Sequence, residues 1–117
     1  MPEELKEHLV EQVRQLLEQD RTRELGNLLA EQRSSDIAEI VEILDNEQKS
    51  EVFELIDDAL GAEVLEKVDE ATRNALFEIF DQKRLAKLIS ELDADDAADV
   101  LSELTEQESE KALSVIN

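Results

Sequence analysis

Apolar residues recur along this chain with a strict 12-residue period. Leu44, Ile56, Val68, Phe80, Leu92, Leu104 and Ile116 form one register. Three residues earlier stand Val41, Phe53, Leu65, Phe77, Ile89, Leu101 and Leu113, and one place before those Ile40, Val52, Val64, Leu76, Leu88, Val100 and Ala112. Within each unit the three apolar positions fall on one face of a helix. Twelve residues accommodate a helix of about two and a half turns plus a tight connection, at ~3.6 residues per turn.

Polar residues mark the boundaries. Asp45, Asp57, Asp69, Asp81, Asp93, Thr105 and Asn117 each follow the last apolar residue of a unit. Asp45, Asp69, Asp81, Asp93 and Thr105 have the chemistry of N-caps, with side-chain oxygens able to accept from the free N–H groups at a helix start. Asp45-Asn46-Glu47-Gln48 and Thr105-Glu106-Gln107-Glu108 fit the capping box. Gly61 is expected beside a helix boundary, where its conformational freedom costs least. A weaker 24-residue period overlies the first. Ala38, Ala62, Ala86 and Ala98 are read as opening their helices, while Phe53 and Phe77 supply bulk in the helices between. Alternating slim and bulky helices suggest hairpins stacked side by side. No helix this short could hold its form alone, so stability must come from neighbours.

Upstream the register loosens. Leu25, Leu28 and Leu29 match three slots of a preceding unit, with Gln32 in the fourth. Leu5, Leu9, Val13, Leu16 and Leu17 predict a longer amphipathic helix, read as an N-terminal cap over residues 1–20 of a repeat domain spanning 21–117. Asp20-Arg21-Thr22 and Gln32–Ser35 are the expected connections. The fold expected is all-α, a right-handed α-solenoid of armadillo-like 12-residue repeats forming one structural domain.

Composition narrows the chemistry. The 117 residues include 32 acids and 12 bases, a formal net charge of -20, with no Cys, two Gly and one Pro. Disulfides, thiolate zinc sites and thiol catalysis are excluded. So negative a field repels nucleic acid and anionic lipid, and favours cations or a basic protein surface. No apolar run approaches the ~20 residues needed to span a bilayer, and no signal-peptide core follows Met1. The chain is expected to be soluble, without direct membrane insertion. With no Tyr, no Trp, no Gly-rich phosphate loop and no Ser–His–Asp set, an enzyme is not expected. His8, the single histidine, reads as surface decoration, and Glu103, Glu106, Glu108 and Glu110 as a solvated run.

The residues Gly61-Ala62-Glu63-Val64-Leu65 and Leu92-Asp93-Ala94-Asp95-Asp96-Ala97-Ala98-Asp99-Val100-Leu101, with Ser35-Asp36-Ile37-Ala38-Glu39-Ile40 before them, carry a family resemblance. From about Asp20 to Asn117 the chain resembles the cytosolic N-terminal domain of the MgtE-type magnesium transporters. Asp95-Asp96-x-x-Asp99 is similar to that family's acidic helix start. The resemblance implies a homodimeric protein in which this domain precedes a pair of CBS domains, a connecting helix and a five-helix pore. Cytosolic Mg2+ then binds between the N-terminal and CBS domains and favours pore closure at the cytoplasmic face of the membrane. It also implies that Glu63 faces the CBS domain. The CBS pair and pore lie outside this chain.

The residues are compatible with that role. Mg2+ takes hard oxygen ligands and keeps several waters, so one or two carboxylates from one surface suffice. Asp95 and Asp99 are four apart on one helical face and Asp96 and Asp99 three apart, and a cation between them would relieve their repulsion. The candidate metal residues are therefore Asp95, Asp99, Asp96 and Glu63, with binding weak or incomplete in the isolated chain. The plainer role is also open, since carboxylates in the first turn of any helix are favoured by its dipole. A second function class remains as well. A repeat protein without metal, similar to the flagellar motor switch repeats, would bind a basic protein along an extended groove.

Overall fold

In the computed structural model the structure describes residues 3–103, all of whose regular elements are helices. They are α1 (Glu3–Glu18), α2 (Thr22–Ala30), α3 (Ser34–Ile43), α4 (Asn46–Leu55), α5 (Asp58–Lys67), α6 (Glu70–Ile79), α7 (Gln82–Ser90) and α8 (Ala94–Ser102). From α3 to α7 each helix begins 12 residues after the last. The period read in the sequence is thus one helix and its connection.

Between α3 and α7 the connections have two residues with two tasks. Leu44, Ile56, Val68 and Phe80 end their helices in extended backbone and stay buried. The aspartate that follows starts the next helix. Asp45, Asp57, Asp69 and Asp81 accept from the backbone N–H groups of Gln48, Leu60, Thr72 and Arg84 at 2.7–2.8 Å. At Asp45 the capping box closes, because its own N–H donates to Gln48 Oε1 at 3.2 Å. Asp93 departs from the expectation. It precedes α8 but makes no side-chain cap bond, and Asp95 and Asp96 occupy the first turn of that helix. Turning a third carboxylate onto the same helix end would add repulsion. Thr105 and its capping box lie outside the described residues.

Helices pack chiefly on the helix two places along the chain. One row comprises α3, α5 and α7, the other α2, α4 and α6, with α1 laid on α2 and α8 on α7. Equivalent residues in one row are therefore 24 apart, which is the physical origin of the longer period. Ala38, Ala62 and Ala86 are buried along the first row. They do not open their helices as expected, for each is the fifth residue of its helix. In α3 and α7 three polar residues open the helix, Ser34 to Asp36 and Gln82 to Arg84, so the apolar pattern starts about one turn late there, whereas α5 opens with Asp58 and then Ala59 and Leu60. Ala98, at the same place in α8, is exposed. Gly61 is likewise inside α5 rather than at a boundary.

The repeat slots form the core. Every one from Ile40 to Ile89 is buried, as is Val100, while Leu92 and Leu101 are half-buried. Leu104, Ala112, Leu113 and Ile116 fall outside the described residues. Phe53 and Phe80 meet edge to face with ring centroids 5.0 Å apart, a favoured aromatic geometry. Leu9, Val10 and Val13 of α1 join the same core.

A further register position is buried or, at Arg73, half-buried without being uniformly apolar. Ile37, Lys49, Gly61, Arg73 and Leu85 are spaced by 12, and the two basic residues belong to the α4–α6 row. Lys49 Nζ donates to Leu44 O at 2.7 Å, and Arg73 donates to Leu65 O at 2.9 Å, Val68 O at 3.0 Å and Glu66 O. Each thus satisfies carbonyls left open at the end of the preceding helix, and places a cation at the negative end of its dipole.

Candidate functional site

Arg73 links this packing to the acidic residues. Its guanidinium is held in place by the last carbonyls of α5, and its Nη1 forms an ion pair with Glu103 beyond α8. Around it an open cleft of about 380 Å3 is lined by Glu66, Arg73, Asp96, Asp99, Val100, Ser102 and Glu103. Three helices contribute: α5 supplies Glu66, α6 Arg73, and α8 and its C-cap the rest. Four carboxylates face one guanidinium there.

The electrostatics follow from that imbalance. Burial pushes the Glu66 carboxyl above the usual glutamate range, and the Asp96 carboxylate adds to the effect while Lys67 and Arg73 oppose it. A carboxyl raised by burial and like charge is relieved by a proton or by a cation.

Of the residues singled out in the sequence, Asp96 and Asp99 line the cleft together, the first half-buried and the second exposed. Asp95 belongs to the first turn of α8, and Glu63 lies one turn before Glu66 on α5; both are exposed and neither lines the cleft. Glu66, Arg73 and Glu103 escaped the sequence reading as members of the site. Glu66 had no mark beyond its place among many acids. Arg73 did carry one, a charge at the register position held by Ile37 and Leu85.

Carboxylate oxygens are the hard donors that Mg2+ takes. Among the described residues, however, no group of three or more His, Cys, Asp or Glu side chains is placed to hold a metal ion. Asp96 and Asp99 alone are fewer donors than such an ion takes. Among the described residues no helix is long and apolar enough to cross a membrane.

A family model described as the MgtE intracellular N domain matches residues 32–117. Among solved structures, the crystal structure of the soluble part of a magnesium transporter is similar, at 12% sequence identity and a TM-score of 0.49. The match covers 96% of this chain and 49% of that one, so the chain spans about half its length. No curated protein matches the chain.

Proposed function

The chain belongs to the MgtE intracellular N domain family, and on that footing we propose that it is the cytosolic regulatory domain of a magnesium transporter. It senses intracellular Mg2+ and favours pore closure by docking on the CBS domains of the same transporter, at the cytoplasmic face of the membrane and within a homodimer. Residues 1–20 act as an N-terminal cap and 21–117 as the repeat domain. The two rows of alternating helices support a stacked-helix solenoid, which this reading takes as right-handed and armadillo-like. This reading assigns the chain no reaction of its own.

The observation that carries it is the cleft, where Asp96 and Asp99 stand opposite Glu66 with too little positive charge to balance them. A bound Mg2+ supplies positive charge that these carboxylates lack. Asp96 and Asp99 would hold the ion from this side, with Asp95 and Glu63 facing the partner surface around it. Because this chain offers only part of a donor set, affinity in isolation is low. Sensing then requires the second domain, which is what ties ion binding to docking.

The test is Mg2+ flux through the full-length transporter carrying this domain. With Asp96→Asn and Asp99→Asn together, flux is expected to persist at Mg2+ concentrations that close the unaltered protein. Normal closure in that double variant would remove the site assignment. The competing role, a repeat domain that binds a basic protein without metal, is favoured if Mg2+ stabilises the chain no more than NaCl at matched ionic strength, since screening alone then suffices.

A further inference from the structure

A second concavity shares no residue with the acidic cleft. It has a volume of about 170 Å3 and lies where the end of α1 meets α2 and α4. Its floor is apolar, with Leu25 buried and Leu16, Leu17 and Leu55 half-buried. Its rim is acidic, formed by Asp20, Glu51 and Glu54, and no basic side chain lines it. None of the ion pairs found among the described residues involves these three acids. The strain is visible at Glu51, whose carboxyl is raised by burial and then by Glu47, Asp20, Glu54 and Asp45.

We propose that this groove receives a lysine or arginine side chain from a basic segment of a partner protein, its methylene stem on Leu17, Leu25 and Leu55 and its charged head among Asp20, Glu51 and Glu54. Long cationic side chains bury their stems along apolar surface and keep the head at a polar edge, which matches a greasy floor beneath a carboxylate rim. Other occupants fit worse. An anion would meet three carboxylates, and a purely aliphatic ligand would desolvate them without a partner. A second copy of this chain brings a net charge of -20. The segment after Glu103 carries Glu106, Glu108 and Glu110 against the single Lys111, so its charge is also wrong. Neither the groove nor its occupant depends on the Mg2+ reading.

A chain this acidic attracts any polycation, so the test must separate the groove from the general field. The probe is a fluorescein-labelled alanine-based helical peptide with lysine at every fourth position, its binding followed by fluorescence anisotropy. The comparison peptide replaces each lysine by 2,3-diaminopropionic acid, which keeps an amine and removes most of the stem. The double variant Glu51→Gln/Glu54→Gln is expected to weaken lysine-peptide binding about tenfold. Glu11→Gln/Glu78→Gln removes the same charge from exposed positions elsewhere, and is expected to change binding less than about twofold. The short-stem peptide is expected to bind the unaltered chain about tenfold more weakly. Equal weakening by the two double variants, or equal binding of the two peptides, would overturn the proposal. Amide shifts on adding the lysine peptide should centre on Leu16–Leu25 and Glu51–Leu55, and shifts spread evenly over the acidic faces would overturn it too.

Discussion

Gly61 of α5 and Leu88 of α7 meet so closely that a Cβ at Gly61 would stand 2.9 Å from Leu88 Cδ2. Both residues are buried, Leu88 completely, so its methyl cannot swing into solvent. The contact sets how near two neighbouring helices of one row approach. It gives a helix-interior glycine a packing reason that outweighs its poor helix propensity.

Gly26 in α2 serves as the control, because a Cβ there meets nothing nearer than Leu55 O at 4.0 Å. Gly26→Ala is expected to stabilise the chain by about 0.5–1 kcal/mol through helix propensity. Gly61→Ala is expected to lose about 1 kcal/mol, since overpacking of a filled core exceeds the same propensity gain. Urea denaturation reads both. The pair Gly61→Ala/Leu88→Ala should cost less than the sum of its single changes, because the methyl that clashes is gone. A stabilising Gly61→Ala would mean that α5 and α7 are not held this close.

The caps give a second contrast between positions that look alike in sequence. Asp57→Ala is expected to cost about 1 kcal/mol, because the Leu60 N–H loses its acceptor. Asp57→Asn should largely spare it. Asp93→Ala is expected to change stability by less than about 0.5 kcal/mol, there being no side-chain cap bond to lose. Equal costs at the two sites would show that Asp93 caps α8 after all.

These contrasts mark where sequence reasoning reaches and where it stops. The core from Ile40 to Ile89 was legible because each helix must bury the same face, and a repeated demand leaves a repeated pattern. The capping box at Asp45 and Gln48 was legible because its chemistry is local. Gly61 and the alanines lie about half a helix from the boundary the period suggests, since an apolar period fixes which residues share a face and not where the first turn begins. At the cleft, Asp96 and Asp99 could be paired from their spacing of three along one helix. Glu66 and Arg73 could not be joined to them, because only the packing of three helices brings them to one place.

Asp20 adds a conformational prediction. It is the non-glycine residue with positive φ among the described residues, at 58°. Its N–H donates to Leu17 O at 3.2 Å and that of Arg21 to Leu16 O at 3.0 Å, the pattern of a Schellman motif that ends α1. Glycine is the usual residue at such a left-handed position. Asp20→Gly is expected to raise stability by up to about 1 kcal/mol, because the left-handed backbone is disfavoured for a residue with a Cβ. Asp20→Asn, which tolerates the same backbone, isolates the charge from the conformation. A loss of stability on Asp20→Gly would show that the carboxylate, not the backbone, governs this turn.

The acid side of the pH profile follows from three carboxyls with opposite shifts. Glu51 and Glu66 are raised, each first by burial, so the folded chain binds their protons more tightly than the unfolded chain does. Their ionisation opposes folding, and stability should rise as pH falls toward the ordinary glutamate value of 4.5. Asp69 is lowered by its hydrogen bonds from Thr72. Its contribution is complete above the unfolded value and is lost as pH falls through the folded one, so stability should decline again below about pH 4. The urea midpoint at fixed ionic strength should therefore peak on the acid side of neutrality. Glu51→Gln/Glu66→Gln should flatten the neutral limb while leaving the acid limb in place. Asp69→Asn should weaken the acid limb alone. A midpoint that climbs steadily from about pH 5 to 8 has the opposite sign, and would mean that neither glutamate is destabilised by its surroundings.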